Sequence, residues 1–285
     1  MYPNTYLSLF PPFPRNDKVF VAMSFDEKFR VRWEKVICPA VSRIERRGNR
    51  LEAFRVDARK ISDSILTEIL SGISTARLVL ADVSTIEKVE NKPIRNGNVM
   101  YEVGIAHAAR LPEEVLLFRS DDDPLLFDMA NVRVNHYDPD NNPTDAIEAV
   151  ADSLLSALKE IDLRKSLAVS AAVDSLDFPS WWLLAQTTQT PQIEHPPHRT
   201  MRDALGNAQR VDAIHRLLDV GAIRASFLRI EPQAFEALKD DTDASLMSYE
   251  VTECGHAVFF EGIRRMGMDK PEMAKILERE FRGQA

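Results

Sequence analysis

Cysteine is nearly absent: Cys38 and Cys254 are the only two among 285 residues, and they lie far apart. That spacing fits neither a disulfide framework nor a paired-cysteine zinc site. It suits a reducing compartment, so a cytoplasmic location is expected. Long apolar runs are missing too. No stretch approaches the roughly 20 residues that cross a bilayer as a helix, and no membrane association is expected. The opening MYPNTYLSLFPPFPRND lacks the basic start, apolar run and cleavage site of a secretion signal. Positive charge is in deficit, with 36 Lys and Arg against 44 Asp and Glu and a net charge of -8. A general nucleic-acid binder needs a basic face, so DNA or RNA is a disfavoured partner, although a local basic patch stays open. Neither G-x-G-x-x-G after the first strand nor G-x-x-x-x-G-K-S/T occurs. The usual phosphate cradles of hydride-transfer and NTP-hydrolysing proteins are therefore lacking.

What is present describes a globular chain. Apolar residues make up 45% and charged residues 28%, enough to build a real core. The length exceeds the commonest single domain, and two domains are expected. Residues 1–17 read as a proline-rich arm that is loose or packs Tyr6, Leu9 and Phe13 on a neighbour. From residue 18 onward strands and helices alternate. KVFVAMSF (18–25) predicts a strand, and Phe29, Trp33, Val36, Ile37, Ala40, Val41 and Ile44 trace a helix after it. Further strands are expected at 51–57, 77–83, 114–118 and 131–137, with helices at 62–76, from Asn98, and at 143–161. Such alternation predicts an α/β fold: a parallel five-stranded sheet of flavodoxin-like order 2-1-3-4-5, covered on both faces, over 18–165. Residues 166–199, rich in proline and polar residues, read as a linker. The remaining 200–285 form a smaller, mostly helical domain. Its leucine-rich helix, DVGAIR, strand and YEVTECGHAV resemble a winged helix, with a strand running into a T-x-x-G helix start.

In an open parallel sheet, ligands bind beyond the carboxyl ends of the strands where strand order reverses. The predicted order brings Ser24, Phe25 and Asp26 after the first strand beside Asp82, Val83 and Ser84 after the third. The loop TIEKVENKPIRNG is expected to fold over this crevice, and the helix starting near Asn98 points its N-terminus at it. That helix carries Glu102 among Val99, Met100, Val103, Ile105 and Ala106. Two plain explanations compete with a functional one: a capping box, and a solvated glutamate favoured by the helix dipole. With Asn98 as the cap, Glu102 lies one position too far for the box. At i and i+4, Asn98 and Glu102 share a face and can meet a ligand together. Gly104 is expected to let the helix approach the sheet closely.

Several ordered motifs point to a family. VFVAMSFDEKF, RVD at 55–57, ARLVLADVS and NGNVMYEVGIAHA together resemble the nucleoside 2-deoxyribosyltransferase-like branch of the TIR-like domains, over roughly residues 18–120. The resemblance implies Glu102 as a nucleophile and Asp82 as the aspartate that orients base or sugar. Ser24, Phe25, Asp26, Asp57, Ser84 and Asn98 would then line the substrate. The superfamily includes enzymes that cleave N-glycosidic bonds, domains that only bind nucleotides, and effectors of bacterial immune systems. A nucleoside, a nucleotide or an NAD-type dinucleotide is the expected ligand, with NAD one of the candidate substrates and neither a cofactor nor a metal expected. Ser24 and Gly97 replace the family's usual prolines, which bears on substrate choice more than on fold.

Cleavage of C1′–N passes through an oxocarbenium-like state that a carboxylate stabilises or traps. A purine leaves better when protonated, whereas nicotinamide leaves NAD as a neutral base and needs no acid. Asp82 and Asp57 are the candidate acids, and the sequence does not choose between transfer and hydrolysis. His107, five residues after Glu102, points away from it and reads as packed or partly exposed. His195 and His198 read as linker residues. Asp121 to Asp123 read as a solvated acidic turn before a magnesium site. Trp181 and Trp182 are ranked as core anchor, partner-facing patch, then base-stacking platform. Arg216, Arg224 and Arg229 offer phosphate contacts in the C-terminal domain. The acidic residues around them favour oligomerisation or a regulatory protein partner over DNA.

Overall fold

The computed structural model describes residues 15–46, 48–56, 65–125, 132–189, 201–227 and 247–267. The chain divides into two compact units, Met1–Arg164 and Lys165–Ala285. Asp57, Tyr6, Leu9, Phe13, His195, His198 and Arg229 lie outside the described residues, as does the segment 228–246.

Besides a two-residue antiparallel ladder of Glu45–Arg46 with Asn49–Arg50, the strands of the first unit are β1 (Lys18–Ala22), β2 (Glu52–Phe54), β3 (Leu78–Asp82), β4 (Thr85–Val89), β5 (Lys92–Arg95), β6 (Val115–Arg119) and β7 (Val134–His136). Five of them form one parallel sheet in the order β2-β1-β3-β6-β7. Numbered by sequence among themselves, these run 2-1-3-4-5, the flavodoxin-like order. Period-two alternation sorts the side chains. Val19, Val21, Leu78, Leu80, Leu116 and Phe118 pack on one face, and Phe20, Ala22, Val79, Ala81 and Leu117 on the other.

The first face is covered by α1 (Glu27–Arg32), a π-helical turn (Trp33–Ile37) and α2 (Cys38–Ser42), together with the long α5 (Pro143–Ser175). The second is covered by α3 (Ile65–Thr75) and α4 (Gly97–Ala109). The π turn has a local cause. Pro39 has no N–H and its ring crowds the carbonyl four residues back, so the helix widens just before it. The Cys38 N–H accordingly bonds the Trp33 carbonyl, five residues back.

Two expectations are corrected. Gly104 is exposed, and a Cβ there would meet nothing within 4 Å. Gly72 on α3 supplies the close approach instead, since a Cβ would lie 2.7 Å from the Phe20 ring. The segment TIEKVENKPIRNG, expected as a long loop, contains the β4–β5 hairpin. Its two-residue turn, Glu90 and Asn91, takes φ of 48° and 62°, the positive values that tight hairpins require.

Within the segment read as a linker, the described residues 166–189 are helical, and 190–199 lie outside the described residues. Helix α5 continues to Ser175, and α6 (Phe178–Gln189) follows. Asp177 accepts from the Ser180 N–H at 3.0 Å, and Pro179 occupies the first turn, where its missing N–H costs nothing. Proline there starts a helix rather than breaking one. In the second unit α7 (Met201–Asp219) leads to an antiparallel pair, β8 (Ile223–Phe227) and β9 (Met247–Val251), and then α8 (Glu253–Arg265). Thr252 caps α8: its hydroxyl accepts from the Gly255 N–H at 3.0 Å and donates to the Gly221 carbonyl at 2.6 Å. A Cβ at Gly255 would fall 2.0 Å from the Ala222 carbonyl oxygen, which explains the T-x-x-G spacing. The tryptophan pair splits. Trp181 lies against Gly262, while Trp182 is 54% exposed.

Candidate functional site

The first crossover, from β1, goes to one face and the next out of β3 goes to the other, so the chain diverges beyond their carboxyl ends. That divergence opens a crevice. Ser24, Phe25 and Asp26 leave β1 at its edge, and Val83 and Ser84 leave β3.

Glu102 is placed by the helical wheel. Val99, Val103 and Ala106 point inward from α4 and are buried. His107 lies on one flank, where it helps line a cleft of about 560 Å³ with Leu116, Arg133, Asn135 and Ser156 on the β6–β7 side. Glu102 lies on the opposite flank with Asn98, and α4 packs on β1, β3 and α3. The Glu102 flank therefore faces the α3 and β1 side, and the crevice inferred from the strand order lies beyond the carboxyl end of β1. His107 is partly buried, and burial lowers its tendency to protonate.

Both plain explanations of Glu102 fail. Asn96, not Asn98, caps the helix: its Oδ1 accepts from the Asn98 N–H at 3.0 Å and the Val99 N–H at 3.3 Å. The capping-box position is thus Val99, and Glu102 is a turn deeper. Nor is it a solvated glutamate. It is half-buried, makes no hydrogen bond or ion pair among the described residues, and burial pushes its carboxyl up to about 7. Asn98 is exposed, free to meet a ligand through its side chain.

Asp82 is enclosed by its neighbours. It is 2% exposed and saturated with partners. Arg32 Nη1 donates to it at 3.2 Å, Tyr137 Oη at 2.5 Å, the Ser84 N–H at 3.0 Å and Ser84 Oγ at 2.5 Å. Arg32 also forks onto Asp140 at 3.0 and 2.5 Å. Ser84 Oγ in turn accepts from Arg32 at 3.1 Å and from the Ser120 N–H at 2.9 Å. Asp82 and Ser84 are the hub that ties the exits of β3 and β6 to α1. They are brought together, but with each other rather than with an open surface. Burial and the adjacent Asp82 carboxylate push the Tyr137 phenol well above its ordinary range, so it remains a donor.

At β1 the pattern is mixed. Ser24 is buried and donates to Asp26 Oδ2 at 2.7 Å, while Asp26 is exposed and its carbonyl starts α1. Phe25 is 42% exposed at the rim. The Arg55 guanidinium lies 4.5 Å from its ring and 4.8 Å from that of Trp33. Of the acidic turn only Asp122 is solvated, with its side chain 98% exposed, while Asp121 and Asp123 are held by neighbours. Asp121 accepts from the Thr85 N–H at 2.7 Å and from Arg95 at 3.1 Å, and Lys88 pairs with Asp123 at 2.6 Å. Burial opposes the Asp121 charge, but those donors hold its carboxyl below the usual range. Among the described residues no group of three or more His, Cys, Asp or Glu is placed to hold a metal ion. None of their helices is long and apolar enough to cross a membrane.

Arg32, Tyr137 and Arg95 were not singled out from sequence. Arg32 carried a signal: it lies three residues after Phe29 and four before Val36, on the inward stripe of its helix. A charge on an apolar stripe is the same anomaly that marks Glu102.

No protein-family model matches the chain, and no curated protein matches it. Among solved structures, the flavodiiron core from Synechocystis sp. is 13% identical with a TM-score of 0.35, covering 50% of this chain and 36% of that one. The chain thus spans about a third of that protein's length. A flavodoxin-like domain from Synechococcus sp. is 15% identical with a TM-score of 0.31, covering 50% of this chain and 99% of that one.

Proposed function

We propose that the first unit breaks an N-glycosidic bond in a nucleoside, nucleotide or NAD-type dinucleotide, with Glu102 as the reacting carboxylate. The observation that carries this is Glu102 itself: a half-buried carboxylate with no ionic or hydrogen-bonding partner among the described residues, on the crevice flank of α4. Such a group is costly to keep, and an unpaired carboxylate with a raised pKa in a cleft marks a site. The ordered motifs shared with the deoxyribosyltransferase-like branch of the TIR-like domains support the same assignment, by analogy.

In this mechanism a Glu102 oxygen attacks C1′ as the C1′–N bond breaks, and the bonding pair leaves with the base nitrogen. Water then displaces the ester to give a hydrolase, or a second base does so to give a transferase. Asn98, four residues earlier on the same flank, and Ser24, Phe25 and Asp26 at the β1 exit are the proposed substrate contacts. Asp82 acts from behind, holding Ser84 and the strand exits. With Asp82 enclosed, an already cationic glycoside such as the nicotinamide riboside of NAD suits the arrangement best, because its base departs without a proton.

The closing of Asp82 also favours a second reading, a sensor that binds a nucleotide in the same crevice without cutting it. A regulatory protein partner or a second copy, held by the C-terminal unit, belongs to either proposal. Phe178 and Trp182, four residues apart on α6, are 78% and 54% exposed and supply an apolar contact. A defence role fits the same analogy.

Trypsin decides between the readings, because Arg95 and Arg110 bound a peptide, 96–110, that contains Glu102. Protein quenched in acid during turnover should yield this peptide with the mass of one sugar moiety added. Base released without any such adduct, at every time sampled, would remove the nucleophile role. Tight binding without base release would establish the sensor.

A further inference from the structure

Helix α4 is held at both ends by arginines outside the crevice lining. At its C-cap Arg110, 1% exposed, donates to the carbonyls of Ile73, Ala76 and Arg77 at 2.6, 2.8 and 2.9 Å, and to Glu114 at 2.8 Å. One residue before the Asn96 cap, Arg95 makes the matching anchor at the crevice end. Its Nη1 donates to the Val83 carbonyl, and its Nη2 to Asp121 Oδ1 at 3.1 Å and the Asp123 carbonyl at 3.2 Å. The side chain is 4% exposed. These acceptors belong to the exits of β3 and β6, and Asp121 also holds Thr85, the first residue of the hairpin.

We propose that Arg95 is a positioning residue for Glu102, fixing the start of α4 against the exits of β3 and β6 so that the helix keeps Glu102 on its crevice flank. This rests on the reading of Glu102 as the reacting carboxylate. The inward face of α4 consists of Val99, Val103 and Ala106, whose apolar contacts are non-directional and tolerate rotation of the helix. Directional hydrogen bonds at the two ends set the angle. Glu102 lies just off the inward face, about 10 Å along the axis from Arg95 at 1.5 Å per residue, so a modest rotation carries it into the core or out to solvent. The Arg95 Nε is buried without a hydrogen-bond partner among the described residues.

The test uses the full chain with carboxyl-labelled glutamate, following the Glu102 titration by NMR in wild type, Arg95→Lys and Arg95→Ala. Burial alone raises the Glu102 carboxyl, with no contribution from a neighbouring charge, so its midpoint reports placement directly. The midpoint should move by at least about one pH unit in both variants, a tenfold change in ionisation ratio. Methylguanidine should restore it in Arg95→Ala. In turnover the same variants should lower kcat while KM stays nearly constant. A folded Arg95→Lys protein with the wild-type midpoint would overturn the proposal. If wild type released no base from any substrate, the reading of Glu102 would fail, while the titration would still decide the positioning claim.

Discussion

Glu102 sets stability against function, and the sign of the effect can be worked out. Its carboxyl titrates near 4.5 when unfolded and at about 7 when folded. The folded pKa is raised, so the group's contribution is fully present below about 4.5 and is lost as pH rises through about 7. The difference corresponds to at most about 3 kcal/mol, which partial solvent access reduces to about 1 to 2 kcal/mol. Glu102→Gln should therefore stabilise the protein by about that amount at pH 8 in urea unfolding and change little at pH 4. A loss of stability at pH 8 would reveal a partner for the carboxylate. The nucleophile must be ionised, so kcat/KM should climb through about pH 7 and level off above it. At this scale the sequence showed Glu102 because a lone carboxylate breaks an apolar helix. It did not show that Asp82 is enclosed, because nothing in ADVS tells that Arg32, Tyr137 and Ser84 close around it. Those partners lie 50 and 55 residues away for Arg32 and Tyr137, and only the folded sheet brings them together.

Helix α4 carries the site, and its boundaries are testable. Asn96→Ala should cost about 1 kcal/mol, the usual loss of an N-cap, measured by chemical denaturation. Asn98→Ala should leave stability almost unchanged and weaken ligand binding, because its own side chain makes no cap bond. Gly72→Ala should destabilise by about 1 to 3 kcal/mol as the new methyl meets Phe20. Gly104→Ala should gain up to about 1 kcal/mol of helix propensity. Reversed signs at the two glycines would contradict the packing of α3 and α4. The existence and type of these helices followed from apolar spacing, but the cap did not, since both Asn96 and Asn98 precede the apolar run. The β4–β5 hairpin was hidden for a related reason. TIEKVENKPIR is charged throughout, and its pairing depends on a tight turn at Glu90 and Asn91 rather than on a buried face. The sequence 166–189 misled in the other direction, because Pro179 stands in a helix's first turn, where proline is at home.

Across the whole molecule, alternation of strands and helices was enough to give the sheet order, since right-handed crossovers over both faces leave few alternatives. The C-terminal unit is less open to such logic. Its basic residues looked available, yet Arg216 pairs with Asp212 at 3.0 Å and Arg224 with Glu250 at 2.6 Å. Together with a net charge of -8, this predicts that the protein passes through immobilised duplex DNA at physiological salt. Retention that weakens steeply with salt would restore a DNA-binding role. The central claim is that the crevice flank of α4 carries the carboxylate that meets C1′. The most direct measurement is free base released at pH 8 from NAD and a panel of nucleosides and nucleotides, followed by chromatography for wild type and Glu102→Gln side by side. Release by wild type, reduced at least about a hundredfold by the substitution while the fold is retained, is the predicted result. Equal release by both proteins, or none by wild type from any member of the panel, would contradict it.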